Sequence, residues 1–223
     1  MAQMRPGQAR SSGTRRAFLK AGLAGAVSCA IPRIGRAATE IVVPDAAANR
    51  RFSVLYQGNK IGSHTVRYST ETGETVVDTR ISLLVKTGVF TVFTFSHRST
   101  ETWHGGRLIS LRSSTLEHDA TLIVEGNATP EGFRVDGKGG PYIAPAATLT
   151  SNSLWTPAVL EQDAVVDAQH GGVIGVSARK VGIEDVIAAG KQIHATLYSF
   201  STPYLAGAIW YSLENLWVHG EFE

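Results

Sequence analysis

Apolar and polar residues alternate along most of the chain from Arg51 onward, and this period of two is the pattern of half-buried β-strands. The stretch RFSVLY places Phe52, Val54 and Tyr56 on one face, and ETVVDTRISLLVK alternates in the same way. Short turn signals such as QGNK join these stretches. Because strand follows strand with short turns between them, the pattern predicts an all-β antiparallel meander. Such a sheet must roll up or pack on another layer to bury its apolar face.

One predicted strand, VFTVFTFSHRSTETW, differs from its neighbours because its first half is apolar on both faces. A strand that is covered by core on both sides has this pattern, and so does a strand that lines an internal apolar groove. The candidate lining residues are Phe90, Phe93 and Phe95. The second half of the strand turns polar and ends at HGG.

The second half of the chain contains the one predicted helix. Residues 137–153 are rich in Gly, Pro, Ser and Thr and predict a loop, and SLWTPAVLEQD predicts a short helix with Ser153 as its cap. Three further strands are predicted from GGVIGVSARKVG, EDVIAAG and KQIHATLYSFST. The last stretch, AIWYSLENLWVHGEFE, predicts a hairpin.

The N-terminal segment has the features of an export signal: a basic part, a short apolar run over residues 21–30 and small residues at a cleavage position. The pair Arg15 and Arg16, with Phe18 and Leu19, matches the twin-arginine pattern, which is an address read by a receptor. The apolar run is far shorter than the ~20 residues of a membrane-spanning helix, so we expect no transmembrane segment in the mature chain. The leader predicts a periplasmic or secreted bacterial protein whose partner during export is the twin-arginine translocase.

Two processing routes stay open. The sequence IGRAA, which follows the helix-breaking Pro32, predicts cleavage between Ala37 and Ala38. The sequence AVSC, which ends at Cys29, loosely resembles a lipoprotein box and gives a lipid-anchored protein as the alternative.

Removal of the leader changes the charge of the protein. Residues 1–37 hold seven of the 21 basic residues and none of the 19 acidic ones, so the remainder has 14 basic and 19 acidic residues and a net charge of −5. A nucleic-acid-binding protein needs a clustered basic face, and this class is therefore excluded. The remainder divides into a flexible lead-in, residues 38–50, and a single all-β domain, residues 51–223.

The sequence contains no recognisable cofactor-binding or catalytic motif. Its only cysteine is Cys29, and no two of its seven histidines are two or four residues apart, so no single strand presents a pair of metal ligands on one face. We expect no cofactor and no metal site. An enzyme would need a site that is assembled from scattered residues.

Four large aromatic residues form a second candidate set: Trp103, Trp155, Trp210 and Tyr211. They lie at the ends of predicted strands or beside the predicted loop. One interpretation is that they are core anchors, since aromatic side chains carry a large buried area. The other is that they form the rim of a concave apolar site that is lined by the strand with Phe90, Phe93 and Phe95.

Four stretches are similar to parts of a known family. They are YQGNKIGSH, ETWHGGRLISLRSSTL, SLWTPAVLEQDAVVDAQHGGVIGVSARKVG and IWYSLENLW. Together they resemble a bacterial secreted family, domain of unknown function 6134, which is similar in style to domain of unknown function 3108. The resemblance implies an antiparallel sheet that curls into an open or half barrel, and it brings no catalytic residues.

The chain departs from the family pattern in its last hairpin. Ser212 follows Tyr211, Asn215 replaces a glycine in the turn, and the chain ends at Glu223 where the family continues into one more strand. Because Asn tolerates a left-handed turn, we expect the hairpin to form. We also expect an exposed sheet edge beside it.

These observations favour a non-catalytic binding or carrier module for a hydrophobic or lipid-like ligand. Two alternatives stay open: an envelope-associated interaction or structural domain, and an enzyme whose site is not visible as a motif. A carrier predicts a cavity lined by the strand with Phe90, Phe93 and Phe95. An interaction protein predicts a filled core and an exposed aromatic patch. An enzyme predicts titratable groups that converge in a cleft.

Overall fold

The computed structural model describes residues 41–45, 48–87, 89–117 and 120–223. These residues form 14 β-strands and two short 3₁₀ turns, Ser153–Trp155 and Pro157–Glu161. The first eight strands are β1 (Arg50–Tyr56), β2 (Asn59–Glu71), β3 (Glu74–Thr87), β4 (Phe90–His104), β5 (Arg107–Glu117), β6 (Ala120–Thr129), β7 (Gly132–Asp136) and β8 (Tyr142–Ala144). The other six are β9 (Ala164–Val166), β10 (Val173–Gly175), β11 (Ser177–Ala188), β12 (Lys191–Ser201), β13 (Ala206–Ser212) and β14 (Trp217–Phe222). The predicted all-β class is confirmed.

The strands form open antiparallel sheets. Strands β1 to β8 make one sheet in chain order, here called the large sheet, and β11 to β14 make a second one, the small sheet. Strands β9 and β10 form a separate two-stranded sheet, and Val166 of β9 also makes a parallel bridge to Thr150. Neither sheet closes into a barrel, so the predicted open meander is confirmed.

Tight hairpins connect many of these strands, and in four of them the second turn residue is a glycine, which accepts positive φ. Both residues have positive φ in the connections Gln57-Gly58, Thr72-Gly73, Gly105-Gly106 and Ala189-Gly190. This is the type I′ geometry, whose twist matches that of the flanking strands. In the last hairpin Asn215 has a φ of 62°, and β13 pairs with β14, so the expectation for this turn is confirmed.

Some strand boundaries differ from those predicted. The region predicted as a loop contains β8. The two strands predicted from GGVIGVSARKVG and EDVIAAG are instead β10 and one long strand, β11. Strand β11 continues because a register shift between Lys180 and Gly182 leaves Val181 as the extra residue of a bulge, so pairing with β12 resumes beyond it.

The predicted helix is two 3₁₀ turns, and Ser153 lies inside the first of them rather than at a cap. Pro157 has no backbone N–H and begins the second turn, where its fixed φ is tolerated. The side chain of Thr156 accepts a hydrogen bond from the Ala158 N–H and caps this second turn.

A bulge in β5 shapes the apolar core on the inner face of the large sheet. Trp103 pairs with Leu108 and Thr102 pairs with Ser110, which leaves Ile109 as the extra residue. Leu108 and Leu111 are therefore both buried although they are three positions apart. Simple alternation does not predict this pair.

Residues 148–170, here called the covering segment, lie against this inner face. The centre of the Trp155 ring lies 5.4 Å from the centre of the Trp103 ring and 6.1 Å from that of the Tyr68 ring. Both pairs are arranged edge to face. The Ser113 hydroxyl of β5 donates a hydrogen bond of 2.5 Å to the backbone oxygen of Ala168. The covering segment thus supplies the second layer that an open sheet needs.

The small sheet joins the same core. The ring of Trp217 in β14 lies 4.2 Å from that of Phe52 in β1, and the Tyr211 hydroxyl donates to the backbone oxygen of Leu154 at 2.8 Å. The described part of the predicted lead-in also contacts the core: Ile41 and Val43 pack against it.

Replacing the buried Leu111 with alanine tests the bulge. Leu111 is 2% exposed and Leu116, on the same strand, is 38% exposed. We expect Leu111→Ala to lower the free energy of unfolding by about 2–5 kcal/mol, because it removes buried methyl groups and leaves a cavity. The matched change Leu116→Ala should cost less than about 1 kcal/mol. Urea unfolding of both variants measures the difference, and equal costs would contradict the described register.

Candidate functional site

The three phenylalanines of the aromatic strand do not line an enclosed groove. Phe90 is 73% exposed, Phe93 is partly exposed, and the rings of Phe93 and Phe95 are stacked with 6.5 Å between their centres. Strand β5 pairs with β4 only up to Phe95, and β2 pairs with β3 only up to Leu83. The first part of β4 therefore pairs with β3 alone, and this leaves its apolar side chains uncovered.

The predicted tryptophan and tyrosine residues lie elsewhere. Trp103, Trp155 and Tyr211 are buried in the core, where they anchor the covering segment between the two sheets. Trp210 lies on the opposite face of β13 from Tyr211, and its indole N–H donates to Glu184 Oε1 at 2.6 Å. The seven predicted side chains are thus distributed over three places, and the structure does not bring them together as one concave site.

The inner face of β4 carries a row of buried polar residues that the sequence analysis did not single out: His97, Ser99 and Glu101. The amide group of Asn152 in the covering segment donates to Ser99 Oγ at 2.7 Å and to His97 Nε2 at 3.0 Å. Because Nε2 accepts, the proton of the neutral imidazole is on Nδ1, from which it is donated to Thr115 Oγ1 at 2.8 Å. The sequence did contain one indication of this cluster, because polar residues occupy alternate positions 97, 99 and 101 in the second half of the strand.

Glu101 is held between the sheet and the covering segment. The Thr150 hydroxyl donates to Glu101 Oε1, and the Trp103 indole N–H donates to Oε2 at 3.2 Å. Burial raises the pKa of Glu101 to about 7, and the hydrogen bonds from Thr150 and Trp103 act in the opposite direction. Burial also lowers the pKa of His97 to about 4, against the charge of Asp167 and the hydrogen bond from Asn152.

This polar cluster has no access to substrate, since His97 is 0% exposed and Glu101 is 1% exposed. Perturbed pKa values often mark catalytic groups, but structural networks perturb them as well. The hydrogen bonds of this cluster run between the sheet and the covering segment, and they satisfy polar groups that would otherwise be buried without partners. We therefore assign the cluster a structural role.

A second cluster lies at the border of the covering segment. His170 Nδ1 is 2.8 Å from Asp167 Oδ2, and His170 Nε2 is 3.4 Å from Glu117 Oε2 at the end of β5. Burial lowers the pKa of His170, but the hydrogen bonds and charges of Asp167 and Glu117 outweigh it, so the net shift is upward. Within the part of the chain that the structure describes, no group of three or more His, Cys, Asp or Glu side chains could hold a metal ion.

An open cleft of about 510 Å³ lies between the lead-in, the second 3₁₀ turn and the turn that joins β13 to β14. Most of its lining residues are apolar, including Ile41, Trp155 and Leu216. Its acidic lining residues are Asp45, Glu161 and Glu214. A neutral apolar ligand that filled this cleft would desolvate carboxylates, which is unfavourable.

The largest group of exposed apolar side chains lies at one end of the large sheet. In an antiparallel meander alternate turns share an end, so the β1–β2, β3–β4 and β5–β6 connections lie together here. The exposed side chains at this end, here called the apolar turn end, are Leu55, Tyr56, Leu84, Val89, Phe90, Val92, Phe93 and Leu116. None of the exposed large hydrophobic residues of the described chain lies in the three turns at the opposite end, Thr72-Gly73, Gly105-Gly106 and Pro130-Glu131.

Glu101→Gln tests the burial of the carboxyl group through the pH dependence of stability. A carboxyl whose pKa is raised on folding contributes stability that is present below the unfolded value of 4.5 and is lost as the pH rises to about 7. As the pH rises from 4.5 to about 7, the free energy of unfolding of wild type should therefore fall relative to that of Glu101→Gln. The expected fall is on the order of 3 kcal/mol. Urea unfolding at several pH values measures it. A constant difference would show that Glu101 is hydrated.

Comparisons with known proteins agree with this fold. One solved structure, a beta-barrel-like protein of domain of unknown function DUF1849 from Brucella abortus, is similar with a TM-score of 0.50 and 9% identity, over 73% of this chain and 81% of that chain. This likeness concerns the fold alone. No curated protein matches the sequence. The model of the family DUF6134, a domain of unknown function, matches residues 52–223, and the chain therefore belongs to this family.

Proposed function

We propose that this chain is an exported, non-catalytic binding module that holds a hydrophobic, lipid-like partner through the apolar turn end. The supporting observation is the concentration of exposed apolar side chains at one end of the large sheet, which includes the predicted residues Phe90 and Phe93. Exposed apolar patches of this kind mark interaction sites in soluble domains. Among the predicted aromatic residues, these phenylalanines are the ones available to a partner.

Two other regions of the molecule are less suitable for an apolar partner than the apolar turn end. The inner face of the large sheet is occupied by the covering segment, whose buried residues include Leu149, Trp155 and Val166. The cleft beside the lead-in includes Asp45, Glu161 and Glu214 in its lining. A carrier that encloses its ligand is therefore less well supported than a module that binds through its surface.

Export to the bacterial envelope is part of the proposal. It rests on the leader with Arg15, Arg16, Phe18 and Leu19, on the twin-arginine translocase as the export partner, and on cleavage between Ala37 and Ala38. All of these residues lie outside the described part of the chain. Within the described part, no helix is long and apolar enough to cross a membrane.

Cell fractionation tests the proposal. A bacterium that exports the full chain is separated into soluble periplasm and membranes, and every chain carries Cys29→Ser so that lipidation cannot hold it. We expect the membrane-to-soluble ratio to fall about tenfold or more in Phe90→Ser/Val92→Ser, because two exposed apolar side chains lose their contacts with the partner.

The matched control is Ile123→Ser/Ile143→Ser, which changes two exposed apolar residues away from the apolar turn end. The control should fractionate as wild type does. Equal fractionation of all three chains would contradict the proposed surface. Native mass spectrometry of the soluble fraction identifies any co-purifying lipid or apolar compound, and a lipid that remains bound to Phe90→Ser/Val92→Ser would place the site elsewhere.

A further inference from the structure

The part of the β3–β4 hairpin that pairs with neither β2 nor β5, residues 84–87 and 89–94, is here called the ribbon. Pairing with the neighbouring strands ends at the pairs Gly62–Leu83 and Phe95–Glu117, and the residues of β2 before Gly62 pair with β1 instead. Four residues of β3 continue past Leu83. At about 3.3 Å per residue they extend roughly 13 Å.

Apolar side chains lie on both faces of the ribbon, and the face that carries Leu84 also carries Lys86 and Thr94. Phe93 pairs with Val85 and shares its face, while Leu84 lies on the opposite face because successive side chains of a strand alternate. Leu84 and Phe93 are both exposed in part, and Val89 at the tip is 89% exposed. A ribbon that docks one face against a protein leaves its other face in water. Apolar residues on both faces suit immersion in a medium that surrounds the ribbon.

The charges near the ribbon favour one kind of medium. Lys86 on β3 and Lys60 at the start of β2 are exposed close to the apolar side chains. Lysine beside inserted apolar groups is favourable at anionic lipid headgroups. Glu117 at the end of β5 is in contact with His170. Because the chain beyond residue 37 has a net charge of −5, insertion must provide most of the binding and the lysines a smaller part.

We propose that the lipid-like partner is the surface of an anionic bilayer, into whose interfacial layer the tip of the ribbon inserts. The ribbon is long enough, since interfacial segments are buried by about 5–10 Å. Tyr56 of the neighbouring β1–β2 hairpin is exposed at the same end of the sheet, and amphipathic aromatic rings are favoured at the headgroup level. This inference rests on the proposed function, because it uses the same side chains.

Vesicle co-sedimentation tests this inference. Protein is recovered from the periplasm, with its N-terminus confirmed by mass spectrometry, and mixed with vesicles of phosphatidylcholine alone or of equal parts phosphatidylcholine and phosphatidylglycerol. We expect wild type to bind the mixed vesicles, and Phe90→Ser/Val92→Ser to bind them at least about tenfold more weakly. Lys60→Glu/Lys86→Glu should lose about tenfold on the mixed vesicles and little on phosphatidylcholine alone.

The control Ile123→Ser/Ile143→Ser should bind as wild type does, and circular dichroism checks that every variant is folded. Wild type that stays in the supernatant with both kinds of vesicle would overturn the inference. If that protein still fractionates with cell membranes through Phe90 and Val92, the proposed function stands and the partner is a membrane protein. Equal weakening by the control and by Phe90→Ser/Val92→Ser would overturn both.

Discussion

An open sheet with polar groups on its inner face can be stable only if another part of the chain satisfies those groups. In this protein the hydrogen bonds from the covering segment to β4 meet that need. Asn152 and Thr150 reach across to His97, Ser99 and Glu101, and each of these groups is buried. A buried donor or acceptor without a partner costs about 1–3 kcal/mol, so the position of the covering segment is tightly specified.

The same arrangement decides where a partner can bind. The tryptophan pair Trp103–Trp155 and the polar cluster occupy the space that an enclosed ligand would need. The small sheet completes this core through Trp217 and Tyr211. What remains for recognition is the surface, and its apolar side chains are concentrated at the end of the large sheet where β3 and β4 pair only with each other. The covering segment thus fills the interior and leaves the apolar turn end as the exposed apolar surface.

The sequence predicted the local features of this fold well, because strands and tight turns depend on neighbouring residues. Alternation in RFSVLY and the Gln57-Gly58 turn fixes the first hairpin almost without tertiary context. The polar cluster was missed because its partners are distant in sequence. Glu101 and Thr150 are 49 residues apart, and His97 and Asn152 are 55 apart. No local pattern indicates that such residues meet.

The candidate site was predicted in part. The apolar first half of β4 was recognised, but its exposure depends on where β2 and β5 stop pairing, which strand composition does not show. Trp103 and Trp155 were candidates for either a core or a rim, and only their contact with each other assigns them to the core. The bulge at Ile109 likewise depends on the register between β4 and β5.

Hydrogen–deuterium exchange of the backbone amides, measured with and without vesicles that contain phosphatidylglycerol, tests both the fixed covering segment and the insertion of the ribbon. We predict that residues 148–170 exchange slowly in both samples, and that vesicles slow exchange in residues 84–94 and around Tyr56. Vesicle-dependent protection at the cleft, in residues 155–161 or 214–216, or faster exchange of the covering segment on binding, would contradict this prediction.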